Sequence, residues 1–249
     1  VSKIQNFYKK KNNNLNLFET EQNDFYKKYN LVREKGVANI KNIQNKYQFL
    51  KDEMSSEHHF FFSCLSIGKN YKIKNILEIG TYDGKNAFLL SNLFEHSSVY
   101  TIDLKNDHDQ FINFYNRANK LEQFIHKRNK ILSMSKNITF IEQNSIRLYN
   151  SSKRYDLIWI DGAHGYPTVC LDIINSLRLI NDNGIIMCDD VFINNIKSDK
   201  MYRSIAAYET LTELKNEKII KFDLIYKRLD VENNYDESNR KFVAIITKL

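Results

Sequence analysis

The run Ile76-Leu77-Glu78-Ile79 reads as a buried strand that breaks at once into Gly80-Thr81-Tyr82-Asp83-Gly84 before a helical pattern takes over. This order constrains the chain more than any other feature, because strand, glycine-bounded turn and helix form the opening unit of an α/β sheet. Gly80 and Gly84 lack a Cβ, so the turn can adopt positive φ and a ligand can lie against the backbone, beside the unpaired N–H groups of the next helix. Glu78 selects the ligand. A carboxylate at the strand end repels a pyrophosphate and accepts hydrogen bonds from an ammonium group, and the glycines are spaced GxxxG rather than the GxGxxG of dinucleotide folds. A tight turn with an incidental acid would show the same residues, so the spacing downstream has to discriminate.

Val99-Tyr100-Thr101-Ile102-Asp103 is a second apolar run ending in an acid. It falls about 20 residues past the loop, where Rossmann-like folds place the carboxylate that grips ribose hydroxyls. A third run, Ile138-Thr139-Phe140-Ile141, ends in Glu142-Gln143-Asn144-Ser145. Loop and spacing together resemble motif I, E/DxGxxxG, of class I S-adenosylmethionine (SAM) methyltransferases. The resemblance implies that Glu78, Gly80, Thr81, Tyr82, Asp83, Gly84 and Asn86 surround the methionine end of SAM, that Asp103 and Leu104 hold its ribose, and that Asn144 and Ser145 meet adenine. The family commonly carries an acid beside the adenine, where this chain offers amide and hydroxyl groups.

Two textures divide the chain. Residues 1–70 contain no convincing strand: residues 9–14 are a polar break, and Ile40, Ile43, Tyr47 and Leu50 recur at helical spacing. This segment is expected to be a helical extension packed on the front of the main domain, covering the site or making a contact between copies of the chain. From residue 71 to 249, strand candidates at 74–79, 98–103, 138–142, 156–160, 184–189, 222–228 and 241–247 alternate with helical patterns. Such alternation predicts an α/β domain with a mostly parallel sheet covered by helices on both faces. Seven strands match the Rossmann-like class I methyltransferase fold, whose last strand, here Phe242–Ile246, runs antiparallel between the fifth and sixth. Pro167, the one proline, opens the pattern Val169, Ile173, Leu177 and Ile180, where a missing N–H costs a helix least. A loop at residues 161–166 follows.

Tyr155–Ile160 ends in Asp161-Gly162-Ala163-His164-Gly165-Tyr166, and Gly184–Cys188 ends in Asp189-Asp190. Ligands of an open α/β sheet bind outside the carboxyl ends of its strands, so three carboxylates are expected to converge beside the cofactor loop. Like charges packed closely favour a compensating cation with oxygen ligands. Asp161, Asp189 and Asp190 are therefore candidate metal ligands, for Mg²⁺ by default and for Mn²⁺ or Fe²⁺ if His164 also ligates. An isolated Asp-Asp pair more often caps a helix or faces solvent; Asp161 on a neighbouring strand shifts that balance. The pattern resembles metal-dependent O-methyltransferases. It is similar above all to sugar O-methyltransferases of macrolide and aminocoumarin biosynthesis, some of which present Asp-x-x-His here and Asp-Asp after the fifth strand. That resemblance implies metal ligation by Asp161, Asp189 and Asp190, and catalysis by Asp161 together with His164 as the base. Ala163 stands where several relatives carry a second acid.

The formal charge of +7 would suit a phosphate-bearing partner, but the lysines are spread along the chain and mixed with acids, as on an ordinary solvated surface. Nucleic acid is a disfavoured partner, since no aromatic-basic stacking segment stands out and a single proline excludes the [D/N]PP[Y/F] motif after the fourth strand. The longest apolar stretch, Phe60–Leu65, is too short to span a bilayer and no signal peptide is visible, so a cytoplasmic location is expected. Cys64, Cys170 and Cys188 are scattered and odd in number, which fits reduced thiols. The sequence opens on Val1 without a methionine, as a piece of a longer polypeptide would. The expected activity is metal-dependent methylation of a sugar hydroxyl, with a nucleotide-linked or glycan sugar as partner and with Lys197, Lys200 and Arg203 available for a diphosphate. Competing readings are an RNA or small-molecule N-methyltransferase and a SAM-binding module without catalysis.

Overall fold

The computed structural model of the chain describes residues 17–52, 57–194, 204–229 and 240–249. The seven expected strands form one sheet: β1 (Asn75–Ile79), β2 (Ser98–Asp103), β3 (Ile138–Glu142), β4 (Tyr155–Ile160), β5 (Ile180–Val191), β6 (Ile220–Tyr226) and β7 (Phe242–Lys248). Their order is β3-β2-β1-β4-β5-β7-β6, with β7 antiparallel to both neighbours. The fold is the Rossmann-like, mostly parallel sheet that the alternating pattern implies. Its helices are α1 (residues 17–28), α2 (Arg33–Lys46), α3 (Glu57–Ile67), α4 (Lys85–Leu93), α5 (Asp109–Asn113), α6 (Leu121–Leu132), α7 (Thr168–Leu179) and α8 (Ala206–Asn216).

Successive side chains of a strand point to opposite faces, and both faces of this sheet are covered, which is why its central strands read as nearly continuous apolar runs. On one face Leu77, Ile79, Ile158 and Ile186 pack with Val169, Ile173 and Leu177 of α7 and with Leu211 of α8. On the other, Ile76, Trp159, Met187 and Ile245 pack against Tyr26 of α1, Phe61 and Phe62 of α3, and Leu90 of α4. The N-terminal helices therefore share the core of the sheet. Ile40 of α2 and Leu50, from a short 3₁₀ turn at Gln48–Asp52, complete a third cluster with Phe88 and Leu89 of α4 and Ile131 of α6. The helical spacing Ile40-Ile43-Tyr47-Leu50 thus identifies one packing surface, although the α-helix itself ends at Lys46.

β5 is longer than the expected 184–189. Ile180, which the apolar spacing assigns to the end of a helix, is extended and pairs with Tyr155. The polar stretch 9–14 and Lys197, Lys200 and Arg203 lie outside the described residues. Cys64, Cys170 and Cys188 are free thiols. Among the described residues no helix is long and apolar enough to cross a membrane.

Candidate active site

Parallel pairing brings the carboxyl ends of β1 to β5 to one edge, and the candidate residues lie along it. The loop after β1 is held open by three positive-φ residues, Gly80 (φ 103°), Tyr82 (φ 49°) and Gly84 (φ 80°). At Gly80 glycine is obligatory for a second reason, because an added Cβ would collide with the Asp161 carbonyl. The Gly80–Gly84 loop and the Asp161 loop are thereby pressed together.

Glu78 is 1% exposed. It accepts hydrogen bonds from Asn86 Nδ2 at 2.7 Å and from the Thr101 hydroxyl at 2.5 Å. Thr101, its lateral neighbour on β2, is in turn 2.6 Å from the Thr81 hydroxyl, so the three form a chain in which Thr81 donates to Thr101 and Thr101 to the acid. Burial nonetheless pushes the Glu78 acid up to about 8, and the charges of Asp161 and Asp103 add to the rise. Asp103 accepts from the Tyr82 N–H at 2.9 Å and the Leu104 N–H at 2.8 Å, tying the glycine loop to the end of β2. A carboxylate has further acceptor capacity for hydroxyls. Asp83 accepts from the Lys85 N–H at 3.1 Å, and Asn144 accepts from the Ile146 N–H at 3.0 Å. Both side chains serve first as local caps.

The acidic cluster sits at the ends of β4 and β5. Asp189 and Asp190 occupy an irregularity in the β5–β7 ladder between Cys188 and Val191, and Asp190 takes φ 51°. A bulge of this kind re-aims side chains, and here two consecutive residues turn toward the site. Asp161, His164 and Asp189 each offer a ligand atom, all within 4.8 Å of one another. His164 is 4% exposed, and its Nε2 lies 3.4 Å from Asp161 Oδ1 and 4.0 Å from Asp190 Oδ2. Burial opposes its protonation, but the hydrogen bond and charge of Asp161 outweigh burial and the imidazole pKa is raised. Burial and the Asp189 charge raise that of Asp161 to about 6. Asp189 goes the other way, since the Lys227 ammonium and His164 overcome the effect of burial.

Asp190 differs from Asp161 and Asp189 in its partners. Its Oδ1 is 2.6 Å from Lys227 Nζ and its Oδ2 is 2.6 Å from Lys241 Nζ. Its charge is met by lysines, and it falls outside the three-residue donor set.

Several residues at the site carry no motif. Lys227 and Lys241 flank β6 and β7, and the strand patterns alone do not reveal that they meet Asp189 and Asp190. His59 of α3 borders the cluster, its pKa lowered to about 4 by burial, with Asp189 opposing. His58 stacks on Trp159, with centroids 4.8 Å apart and planes at 13°. Asp172 of α7 is 1% exposed, lies beneath Gly162, and burial pushes its acid up to about 7.

Residues 77–191 match the Methyltransf_24 family, described as a methyltransferase domain. The sequence has no significant match among curated proteins. Solved structures share the fold at low identity. The O-methyltransferase TomG from Streptomyces achromogenes, involved in tomaymycin synthesis and solved in complex with SAM, is 10% identical, with 91% of this chain and 95% of that one covered at a TM-score of 0.55. An O-methyltransferase from Bacillus cereus in complex with S-adenosylhomocysteine is 15% identical, with 86% and 90% covered at 0.52. The N-methyltransferase NodS from Bradyrhizobium japonicum is 13% identical, with 77% and 94% covered at 0.50, so the fold leaves the accepting atom open. Residues 77–191, from β1 to the end of β5, are thus similar to a methyltransferase domain, and the seven-stranded sheet that holds them has the Rossmann-like fold of class I methyltransferases.

Proposed function

We propose that the protein is an O-methyltransferase that moves the methyl group of SAM to a hydroxyl of a small molecule, a nucleotide-linked or glycan sugar, at a site that also takes a divalent cation. The observation that carries this reading is the convergence within 4.8 Å of Asp161 and His164, on the loop pressed against Gly80, with Asp189 at the end of β5. A base and two carboxylates beside the methyl-donor loop suit an acceptor that must lose a proton. The sugar class rests on the resemblance of Asp161-x-x-His164 and Asp189-Asp190 to sugar O-methyltransferases.

The donor set fits a divalent cation. Its oxygens are hard ligands, and Asp189 Oδ1 is buried with no hydrogen-bond partner among the described residues. Asp161 and Asp189 would hold the ion, which supplies positive charge that lowers the pKa of a nearby hydroxyl; Mg²⁺ suits the oxygens, and Mn²⁺ or Fe²⁺ would suit added ligation by His164. The chain's own residues do the rest. The loop from Gly80 to Gly84 and Asp103 position the donor, and Glu78 meets its ammonium. Asp161 lies against the His164 ring and orients it, and the imidazole takes the hydroxyl proton. The acceptor oxygen then bonds to the methyl carbon as the C–S bond breaks and its electron pair returns to sulfur. General-base assistance of this kind typically contributes about 10² to 10⁴ in rate.

Methyl-labelled SAM incubated with a panel of nucleotide-linked sugars tests this. The expected product is an alkali-stable methyl ether. His164→Ala should slow its formation roughly 10²-fold or more, and Asp161→Asn should abolish it, while both variants still bind SAM by calorimetry. Label on nitrogen or RNA, or full turnover by His164→Ala in chelator, would contradict the reading.

A further inference from the structure

Two lysines close the acidic cluster, and methyl transfer as described above uses neither. Lys227 Nζ lies 2.5 Å from Asp189 Oδ2 and 2.6 Å from Asp190 Oδ1, bridging the pair as an inorganic cation would. Lys241 Nζ holds the far oxygen of Asp190 at 2.6 Å. The position is built by the fold. Lys227 N–H donates to the Lys241 carbonyl at 3.0 Å, locking the two lysines side by side where β6 and β7 meet. Gln22 of α1 clamps the preceding residue by accepting from the Tyr226 N–H at 3.1 Å and donating to its carbonyl at 3.2 Å. Lys227 is only 7% exposed. A buried ammonium persists only where carboxylates compensate it, and Asp189 and Asp190 do so.

Asp189 thereby has two claims on it. Its Oδ2 is held by Lys227, its Oδ1 is buried with no hydrogen-bond partner among the described residues, and the residue belongs to the donor set with Asp161 and His164. An ammonium and a divalent ion on one carboxylate repel each other, and the repulsion is strong where water is scarce. We propose that Lys227 is a tethered cation that competes with a divalent ion for Asp189, so that this lysine sets how tightly the site binds metal. The proposal rests on the reading of Asp161, His164 and Asp189 as the ion's ligands. It accounts for an acidic cluster that stays charge-compensated before any ion arrives.

Manganese binding by the full chain, followed through the electron paramagnetic resonance signal of free Mn²⁺, tests this without turnover. Lys227→Met and Lys227→Gln, each checked for folding by circular dichroism, should bind Mn²⁺ at least tenfold more tightly than the unaltered protein. Lys227→Arg, which keeps the charge, should stay within a few-fold. Equal or weaker Mn²⁺ binding by folded Lys227→Gln overturns the competition. If that equal binding is lost on Asp161→Asn, the donor set survives and only the role of Lys227 fails. Absence of Mn²⁺ binding in every variant at millimolar ion overturns the donor set and the competition together.

Discussion

Glu78 has two hydrogen-bond donors, yet burial still pushes its acid up to about 8. At pH 7 the free site therefore holds this group mostly protonated, and an arriving ammonium reverses that by favouring the charged form. SAM binding at pH 7 should release close to one proton, seen as a dependence of calorimetric heat on buffer ionisation enthalpy. Glu78→Gln should abolish the release and weaken binding about tenfold or more. Asp172 is raised by burial in the same way, and its shift bears on stability. Its folded pKa of about 7 lies above the unfolded value, so the folded state binds the extra proton and stability falls as pH rises from about 4 through 7. Asp172→Asn should raise stability at pH 8 by up to about 4 kcal/mol and leave it nearly unchanged at pH 4, as measured by urea denaturation at each pH. Neither group's environment can be read along the chain. Glu78 is visible as an acid before glycine, but Thr101 joins it only through the β1–β2 register, and Asp172 is one polar position in an apolar helix pattern.

The βα unit at residues 75–93 and the end of β5 make the site, and they differ in how openly the chain announces them. Strand, glycine loop and helix are local, so the Gly80–Gly84 turn is legible from Ile76 to Asn86. The β5 irregularity is not, since it arises from pairing with β7 some 50 residues away, and only that pairing brings Lys227 and Lys241 to Asp190. The His58-His59 pair is hidden for another reason: it opens the run Phe60–Leu65, whose apolar character masks two imidazoles that α3 turns toward Trp159 and Asn86. Gly80→Ala tests the contact between the two loops. With φ 103° and the Asp161 carbonyl in the way, it should destabilise by roughly 2 kcal/mol or more and abolish SAM binding. Gly165→Ala, with nothing within 4 Å of the new methyl, should change stability by less than about 0.5 kcal/mol. Chemical denaturation of the two variants makes the comparison.

At the scale of the whole molecule the N-terminal helices are structural partners of the sheet. Tyr26, Phe61 and Phe62 fill the core over Trp159 and Met187. The buried Glu57 carboxylate joins α3 to Arg33 Nη2 at 2.5 Å and to Gln22 at 2.9 Å. Helical spacing alone reveals the packing surface of α2 but not this burial, because partners such as Trp159 and Met187 come from the distant strands β4 and β5. Removing residues 1–70 should leave a protein without cooperative unfolding, and Phe61→Ala in the full chain should cost roughly 3 to 5 kcal/mol, both readable by thermal circular dichroism. These helices hold Lys227 in place through Gln22 and bring His59 to the acidic cluster, so fold and chemistry meet at one edge of the sheet. The most direct test of that meeting is a crystal structure of the full chain with S-adenosylhomocysteine. The account predicts its amino group on Glu78, its ribose on Asp103, and its sulfur facing the gap between Asp161, His164 and Asp189. A nucleoside bound elsewhere, or seated with its sulfur turned from those three side chains, would contradict it.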